Sequence, residues 1–220
     1  MKYKQEEIDE INWFHHYDHE TFGFKTEGKK GILNVDEAKS WGFCPEIFSG
    51  NSVLDIGAWD GYFSFLAEKL GAERVLATDH FCWGGPGWGT KDGFDLAHRI
   101  LDSNVESKEI DVLDISPETV GVFDVVLFLG VLYHLPNPLL GLQIAMNVTR
   151  KVLIVETTYE RLNEKKALFE LHPKRLRNDS TSYWSPNMKG IREVLTEIIG
   201  FKEVAIKPWS KNRLICFAYK

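Results

Sequence analysis

Short apolar runs that end on glycine or an acid alternate with amphipathic segments from about residue 51 onward. The last two apolar runs are separated only by a Lys211-Asn212 turn. Alternation of this kind predicts an α/β chain with a doubly wound sheet, because parallel neighbours need helical crossovers. The short final turn makes the last two strands antiparallel neighbours. The prediction is a seven-stranded sheet, mostly parallel, with one antiparallel strand near the C-terminal edge.

Each element follows from a local pattern. Residues 52–57 (SVLDIG) are a buried strand running into a glycine. Residues 62–70 place Phe63, Leu66, Ala67 and Leu70 on one helical face. Asp60 is the expected N-cap of that helix, and Gly71 its stop. Residues 74–78 form the second strand, which runs into Asp79. Residues 95–101 read as helix and 105–110 as a third strand. Residues 123–129 (FDVVLFL) are the central strand. Asn137-Pro138 opens a helix with Leu139, Leu142, Ala145 and Met146 as its core face. Residues 151–156 are the fifth strand. Ser185-Pro186 is expected to open a last helix, with Met188, Ile191, Val194, Leu195 and Ile198 on one side and Gly200 at its end. Strands 201–207 and 214–219 close the chain. Residues 1–45 lack this rhythm and are aromatic-rich; they read as an N-terminal cap on a domain spanning 46–220.

Composition narrows the function. The chain has 220 residues, 44% of them hydrophobic, and a net charge of −6. An acidic whole argues against a protein that coats nucleic acid with its entire surface. Three dispersed cysteines imply no disulfide framework, and no zinc spacing occurs. No feature calls for a metal. The charged start is unlike a signal peptide, and the run 125–129 is far shorter than a membrane span. The expectation is a cytoplasmic protein with no membrane partner, its oligomeric state open.

The turn Asp55-Ile56-Gly57-Ala58-Trp59-Asp60-Gly61 lies where doubly wound sheets bind ligands. Asp79 ends the next strand, where a carboxylate can accept ribose hydroxyls. A dinucleotide and S-adenosylmethionine both fit this outline. The dinucleotide fingerprint wants a second glycine for close pyrophosphate approach; here Trp59 stands in that stretch. Asp55 would repel a pyrophosphate but suits a cationic amino group. S-adenosylmethionine is therefore the favoured cofactor. Ala58, Trp59, His80 and Val112 are expected to line it beside Asp55, Gly57, Gly61 and Asp79. Asp111 is placed for an adenine amino group.

The segments DIGAWDGYFSF (55–65), FDVVLFLGVLYHLPNPL (123–139), VLIVET (152–157) and YWSPNMKGIREVLTEIIGF (183–201) resemble class I methyltransferases related to the tRNA wobble-uridine carboxymethyltransferases and their short relatives. The cluster Trp13-Phe14-His15 is similar to a Trp-Tyr-His element of those relatives. The resemblance implies a Rossmann-like fold and S-adenosylmethionine or its carboxylated form as donor. After the fourth strand, Leu129 and Gly130 are expected to line the cofactor, with Gly130 and Val131 against its sulfonium end. In the carboxymethyltransferases a Lys, the Tyr of the LYH motif and a C-terminal Arg hold the donor's extra carboxylate. Tyr133 matches the Tyr and Arg213 the Arg, while Lys25 and Lys29 stand in a different local pattern. Plain methyl transfer is the reading that follows.

The acceptor must lose a proton if it is an alcohol, phenol or acid. His134, just past the fourth strand, is the candidate base, with Tyr133 and His15 as further catalytic candidates. Tyr133, Glu156 and Arg213 are candidate substrate contacts. The Gly-rich stretch 81–89 could be a lid, and the basic stretch 161–177 could steer an acidic acceptor. A small-molecule acceptor, an oxygen nucleophile on an acidic or sugar-like metabolite, is favoured over tRNA. A tRNA wobble-uridine methyl- or carboxymethyltransferase and a non-catalytic S-adenosylmethionine-binding protein are the alternatives.

Overall fold

A computed structural model describes residues 3–28, 35–160, 165–173, 176 and 179–220. The chain falls into two compact units, 1–111 and 112–220. No helix among the described residues is long and apolar enough to cross a membrane.

In the first unit the N-terminal segment holds four short helices: α1 (Gln5–Asp9), α2 (His19–Phe22), α3 (Val35–Trp41) and α4 (Pro45–Phe48). Then follow β1 (Ser52–Ile56), α5 (Tyr62–Lys69), β2 (Arg74–Asp79), α6 (Asp92–Leu101) and β3 (Glu106–Glu109). β1 pairs parallel with β2, and β2 with β3. The edge strand β3 is four residues long and exposed throughout. Its ESKE sequence keeps that edge charged, which discourages pairing with other chains. Helix α5 is buried from Tyr62 to Ala67, more fully than a one-faced amphipathic pattern implies. Its N-cap is Gly61 in the left-handed region (φ 83°), with no side-chain cap. The expected cap, Asp60, is engaged elsewhere, as described below.

The second unit contains β4 (Phe123–Leu129), α7 (Pro138–Asn147), β5 (Thr149–Thr158), β6 (Phe169–Leu171), β7 (Trp184–Pro186), α8 (Met188–Glu193), β8 (Glu203–Ser210) and β9 (Arg213–Tyr219). β4 and β5 are parallel, and β9 runs antiparallel to both β5 and β8. The seven strands take the order β3-β2-β1-β4-β5-β9-β8, and β6 and β7 form a separate ribbon. The single reversed strand is β9, as the short final turn required.

Three local expectations are corrected. Leu139 on α7 is exposed and Met146 only half-buried; Gly141, Leu142, Ile144 and Ala145 face the core. A Cβ at Gly141 would meet Leu135 Cδ1 at 2.3 Å, so close packing turns that face inward. Ser185 and Pro186 belong to β7 rather than to a helix start. Asn187 is the N-cap instead, accepting a hydrogen bond from the Gly190 amide. The helix then widens into a π turn over Val194–Ile199. A π turn carries an extra residue per turn, so the phase slips: Ile199 is buried and Ile198 exposed.

Candidate functional site

In the first unit the strand-to-helix turn is built from backbone. Gly57 and Ala58 both donate to the Thr78 carbonyl at 2.8 and 3.0 Å, which ties the end of β1 to β2. Gly57 takes a φ of 81°, a value that favours glycine. Trp59 takes a φ of 49° despite its bulk. Its N–H donates to Asp79 Oδ2 at 2.9 Å, and its carbonyl accepts from Trp83 Nε1 at 2.6 Å. Clamped on both sides, Trp59 is held in a conformation that costs about 1–2 kcal/mol for a residue with a Cβ.

Two carboxylates flank this turn. Asp55 is 3% exposed and accepts from Ser64 Oγ at 2.6 Å. Burial outweighs that hydrogen bond and pushes its carboxyl up to about 6. Asp79, 6% exposed, accepts from the Cys82 and Trp59 amides. Burial raises it too, and the amides offset this only in part. Among the described residues neither acid has a Lys or Arg partner. This donor set suits a ligand bearing cationic groups and hydroxyls, and it disfavours a pyrophosphate.

Asp60, read from sequence as a helix cap, has a different task. Its carboxylate accepts from the amides of Phe14 (3.0 Å) and His15 (2.8 Å) and is closely paired with His15 Nδ1. Tyr17 Oη donates to the Asp60 carbonyl at 2.7 Å. Burial alone would raise this carboxyl. The His15 imidazole and the two amides overcome that and hold it below the usual range. The aromatic-rich N-terminal segment is thereby fastened to the glycine turn, and His15 is buried against Tyr62 at 5.4 Å. His80 lies beside Glu109 at 3.2 Å, and Asp111 is exposed.

In the second unit Val112 begins a short 3-10 turn, and Leu129 ends β4. Gly130 follows at φ 75° and donates to the Glu156 carbonyl at 3.1 Å. Tyr133, Glu156 and Arg213 form one cluster, the first two buried and Arg213 half-buried. The Arg213 guanidinium pairs with Glu156 through Nε and, at 2.6 Å, through Nη2. It also lies over the Tyr133 ring at 4.8 Å. Burial would depress Arg213, but the charge of Glu156 and the contact with Tyr133 raise it instead. Burial raises the Tyr133 hydroxyl against the pull of Arg213. A Cβ on Gly130 would come within 4 Å of all three side chains, so glycine there keeps the cluster open on that side.

His134 sits next to this cluster in sequence, and its Nδ1 lies 3.0 Å from the Thr181 carbonyl and 2.9 Å from Thr181 Oγ1. Thr181 Oγ1 donates to Asp179 Oδ1 at 2.6 Å. Burial alone would lift Asp179; hydrogen bonds from Thr181 and Ser182 outweigh it and hold the carboxylate low. A carbonyl facing Nδ1 requires N–H there. That tautomer leaves Nε2 with a lone pair, as a base needs.

Asp60, Ser64, Asp179 and Thr181 are the site residues that sequence reasoning missed. A capping-like Asp before a helix and a polar DSTS run were the visible signals. Of the basic stretch 161–177, residues 161–164, 174, 175 and 177 lie outside the described residues, as does Lys29.

No family model matches the chain. In sequence, 81 residues are 35% identical to the ribosomal protein L11 methyltransferase of Thermotoga maritima, taking in 35% of this chain and 26% of that protein. A 94-residue stretch is 33% identical to the tRNA U34 carboxymethyltransferase of Campylobacter hominis, taking in 43% and 30%. The matches thus span less than a third of either relative. In structure, the N-terminal domain of EvdMO1 with SAH bound matches at a TM-score of 0.69 and 19% identity, over 98% of this chain and 93% of that one. The same domain in the presence of SAH and D-fucose matches at 0.67. The magnesium protoporphyrin IX methyltransferase ChlM of Synechocystis PCC 6803 with bound SAH matches at 0.59 and 15% identity, over 84% and 81%. The chain has the fold of the class I methyltransferases, and the proteins it matches in sequence are methyltransferases.

Proposed function

We propose that this protein is an S-adenosylmethionine-dependent methyltransferase acting on an oxygen of a small molecule. The observation that carries the reading is the pair of buried carboxylates, Asp55 and Asp79, with no Lys or Arg partner among the described residues, at the ends of adjacent parallel strands beside the glycine turn. S-adenosylmethionine, when bound, supplies an electrophilic methyl group and a positive charge. Asp55 would hold its amino group, and Asp79 its ribose hydroxyls, with Gly57 and Gly61 giving the backbone room.

Arg213 supports a plain methyl donor over a carboxylated one. Its guanidinium is already matched by Glu156, so a second carboxylate would meet repulsion from the first. His134 would take the acceptor's hydroxyl proton through Nε2, while Thr181 and Asp179 hold the ring in the required tautomer. A tRNA acceptor is the second reading, favoured by the likeness to the tRNA U34 carboxymethyltransferase.

Calorimetry tests the donor site. S-adenosylhomocysteine should bind with a measurable heat and a nicotinamide dinucleotide should not; the reverse pattern ends the proposal. Asp55→Asn should weaken S-adenosylhomocysteine about tenfold or more, ~1.4 kcal/mol. The same variant should stabilise the free protein. A folded-state carboxyl raised to about 6 contributes stability that is complete below the unfolded value near 4 and lost as pH rises through 6. Asparagine has no charge to bury, so it should gain up to about 3 kcal/mol by pH 7.5 and little at pH 4. Urea denaturation at the two pH values measures this.

His134→Ala should lower turnover about a hundredfold, the ordinary scale for a lost general base. S-adenosylhomocysteine affinity should stay at the wild-type value. Release of S-adenosylhomocysteine in a screen of metabolites and unmodified tRNA supplies the assay and separates the two acceptor classes. Unchanged turnover in the variant would remove His134 from the mechanism.

A further inference from the structure

The first unit holds a cavity of about 480 Å³ that the donor chemistry does not account for. It lies against the glycine turn, since Trp59 and Asp60 form part of its wall. The N-terminal segment (Glu10, Asn12, Trp13) and the Gly-rich loop (Trp88, Thr90) complete it, together with Asp92. Its size falls inside the roughly 300–1,000 Å³ range of small-molecule sites.

The wall combines indoles with hydrogen-bonding groups of both kinds. Trp59 is stacked on Phe14 at 4.0 Å, and Trp88 follows at 5.8 Å, nearly parallel to it. Trp88 is 46% exposed although it lines the cavity. The loop reaches this position only because it is glycine-rich: a Cβ at Gly89 would lie 2.8 Å from Trp59 Nε1, and one at Gly87 2.1 Å from the Phe81 carbonyl oxygen. Trp59 lines this wall and takes a φ of 49°, a backbone outlier of the kind that gathers at ligand sites.

The polar groups decide the ligand class. Three acids, Glu10, Asp60 and Asp92, line the cavity, and no lining residue is basic, which rejects phosphates, sugar acids and an RNA backbone. The Asp60 carboxylate is committed to the N-terminal amides and His15. Among the described residues Glu10 and Asn12 have no side-chain hydrogen bond. Carboxylates accept, while the Asn12 amide can also donate; the Thr90 hydroxyl gives its one proton to Asp92 Oδ2 at 2.6 Å. A simple ammonium would use only acceptors. A ring bearing several hydroxyls uses acceptors and donors, and its C–H faces pack on indoles.

We propose that this cavity binds a neutral glycosyl ring, the acceptor or the part of the acceptor that positions it. The proposal rests on the reading that the adjoining turn holds the methyl donor. Tryptophan fluorescence of the S-adenosylhomocysteine-loaded protein, titrated with D-fucose, D-glucose and their methyl glycosides, tests it. Glucose 6-phosphate and tetramethylammonium are the anionic and cationic controls. At least one neutral saccharide should give a saturable change, and the controls should not. Trp88→Ala should weaken that saccharide at least tenfold, and Glu10→Gln severalfold, with far-UV circular dichroism and S-adenosylhomocysteine calorimetry as in the wild type. No saturable response to any neutral saccharide, a response to a control instead, or undiminished affinity in both variants overturns the proposal. Loss of the S-adenosylhomocysteine heat in the wild type would instead strike the donor reading, and the saccharide response is read independently of it.

Discussion

Arg213→Met should lower the free energy of unfolding by about 3–5 kcal/mol, the cost of leaving one member of a buried ion pair without its partner. Glu156 is 5% exposed, and Arg213 supplies both of its charged contacts. Methionine fills much of the volume and leaves the carboxylate uncompensated in a poorly solvated place. Glu156 then has to take up a proton or draw in water. For a chain of this length the loss corresponds to a fall in melting temperature on the order of 10 °C. The double variant Arg213→Met with Glu156→Gln should recover most of it, because it removes the orphaned charge along with its partner. Urea denaturation of the wild type, the single and the double variant at pH 7.5 checks the cycle. A single variant within about 1 kcal/mol of the wild type would mean that the pair is solvated and weak.

Asp60→Ala should be comparably severe, about 3–5 kcal/mol, since two main-chain donors and the His15 ring lose their acceptor together, at about 1–3 kcal/mol for each buried group left unsatisfied. The damage should be local first. Amide hydrogen exchange should quicken at Phe14 and His15, and proteolysis should reach the segment before α5, while strands β1 and β2 stay protected. The pH dependence is signed. The Asp60 carboxyl is held low in the folded protein, so its contribution is present above the unfolded value near 4 and disappears as pH falls through the folded value. The wild type should therefore lose its advantage over Asp60→Ala only in acid. Asp55 in the same turn has the opposite sign, losing stability as pH rises toward 6. Two acids five residues apart thus shift in opposing directions: at Asp60 the His15 imidazole and two amides outweigh burial, whereas at Asp55 burial outweighs the Ser64 hydrogen bond and the His15 charge.

Most of the fold was legible because its determinants are local. Period-2 and period-3.6 patterns located the strands and helices of the sheet, and the two-residue turn before β9 settled the one reversal. The misses share a cause. Helix α7 shows apolar residues on more than one side, and only packing against Leu135 selects the buried face. The π turn at 194–199 leaves no mark in residue type but shifts the face by one position. Asp60 looked like a helix cap because an acid before an apolar helix usually is one.

The sequence by itself determined the α/β order, the position of the glycine turn and the two acids that end β1 and β2. Spacing along the chain sets these, and neighbours in sequence enforce them. Only the tertiary structure decided which acids are compensated. Asp60 meets His15 across 45 positions and Glu156 meets Arg213 across 57, whereas Asp55 and Asp79 are buried with no Lys or Arg partner among the described residues. The charge state of a carboxylate depends on what lies within a few ångströms of it, and that distance is fixed by packing, not by order along the chain.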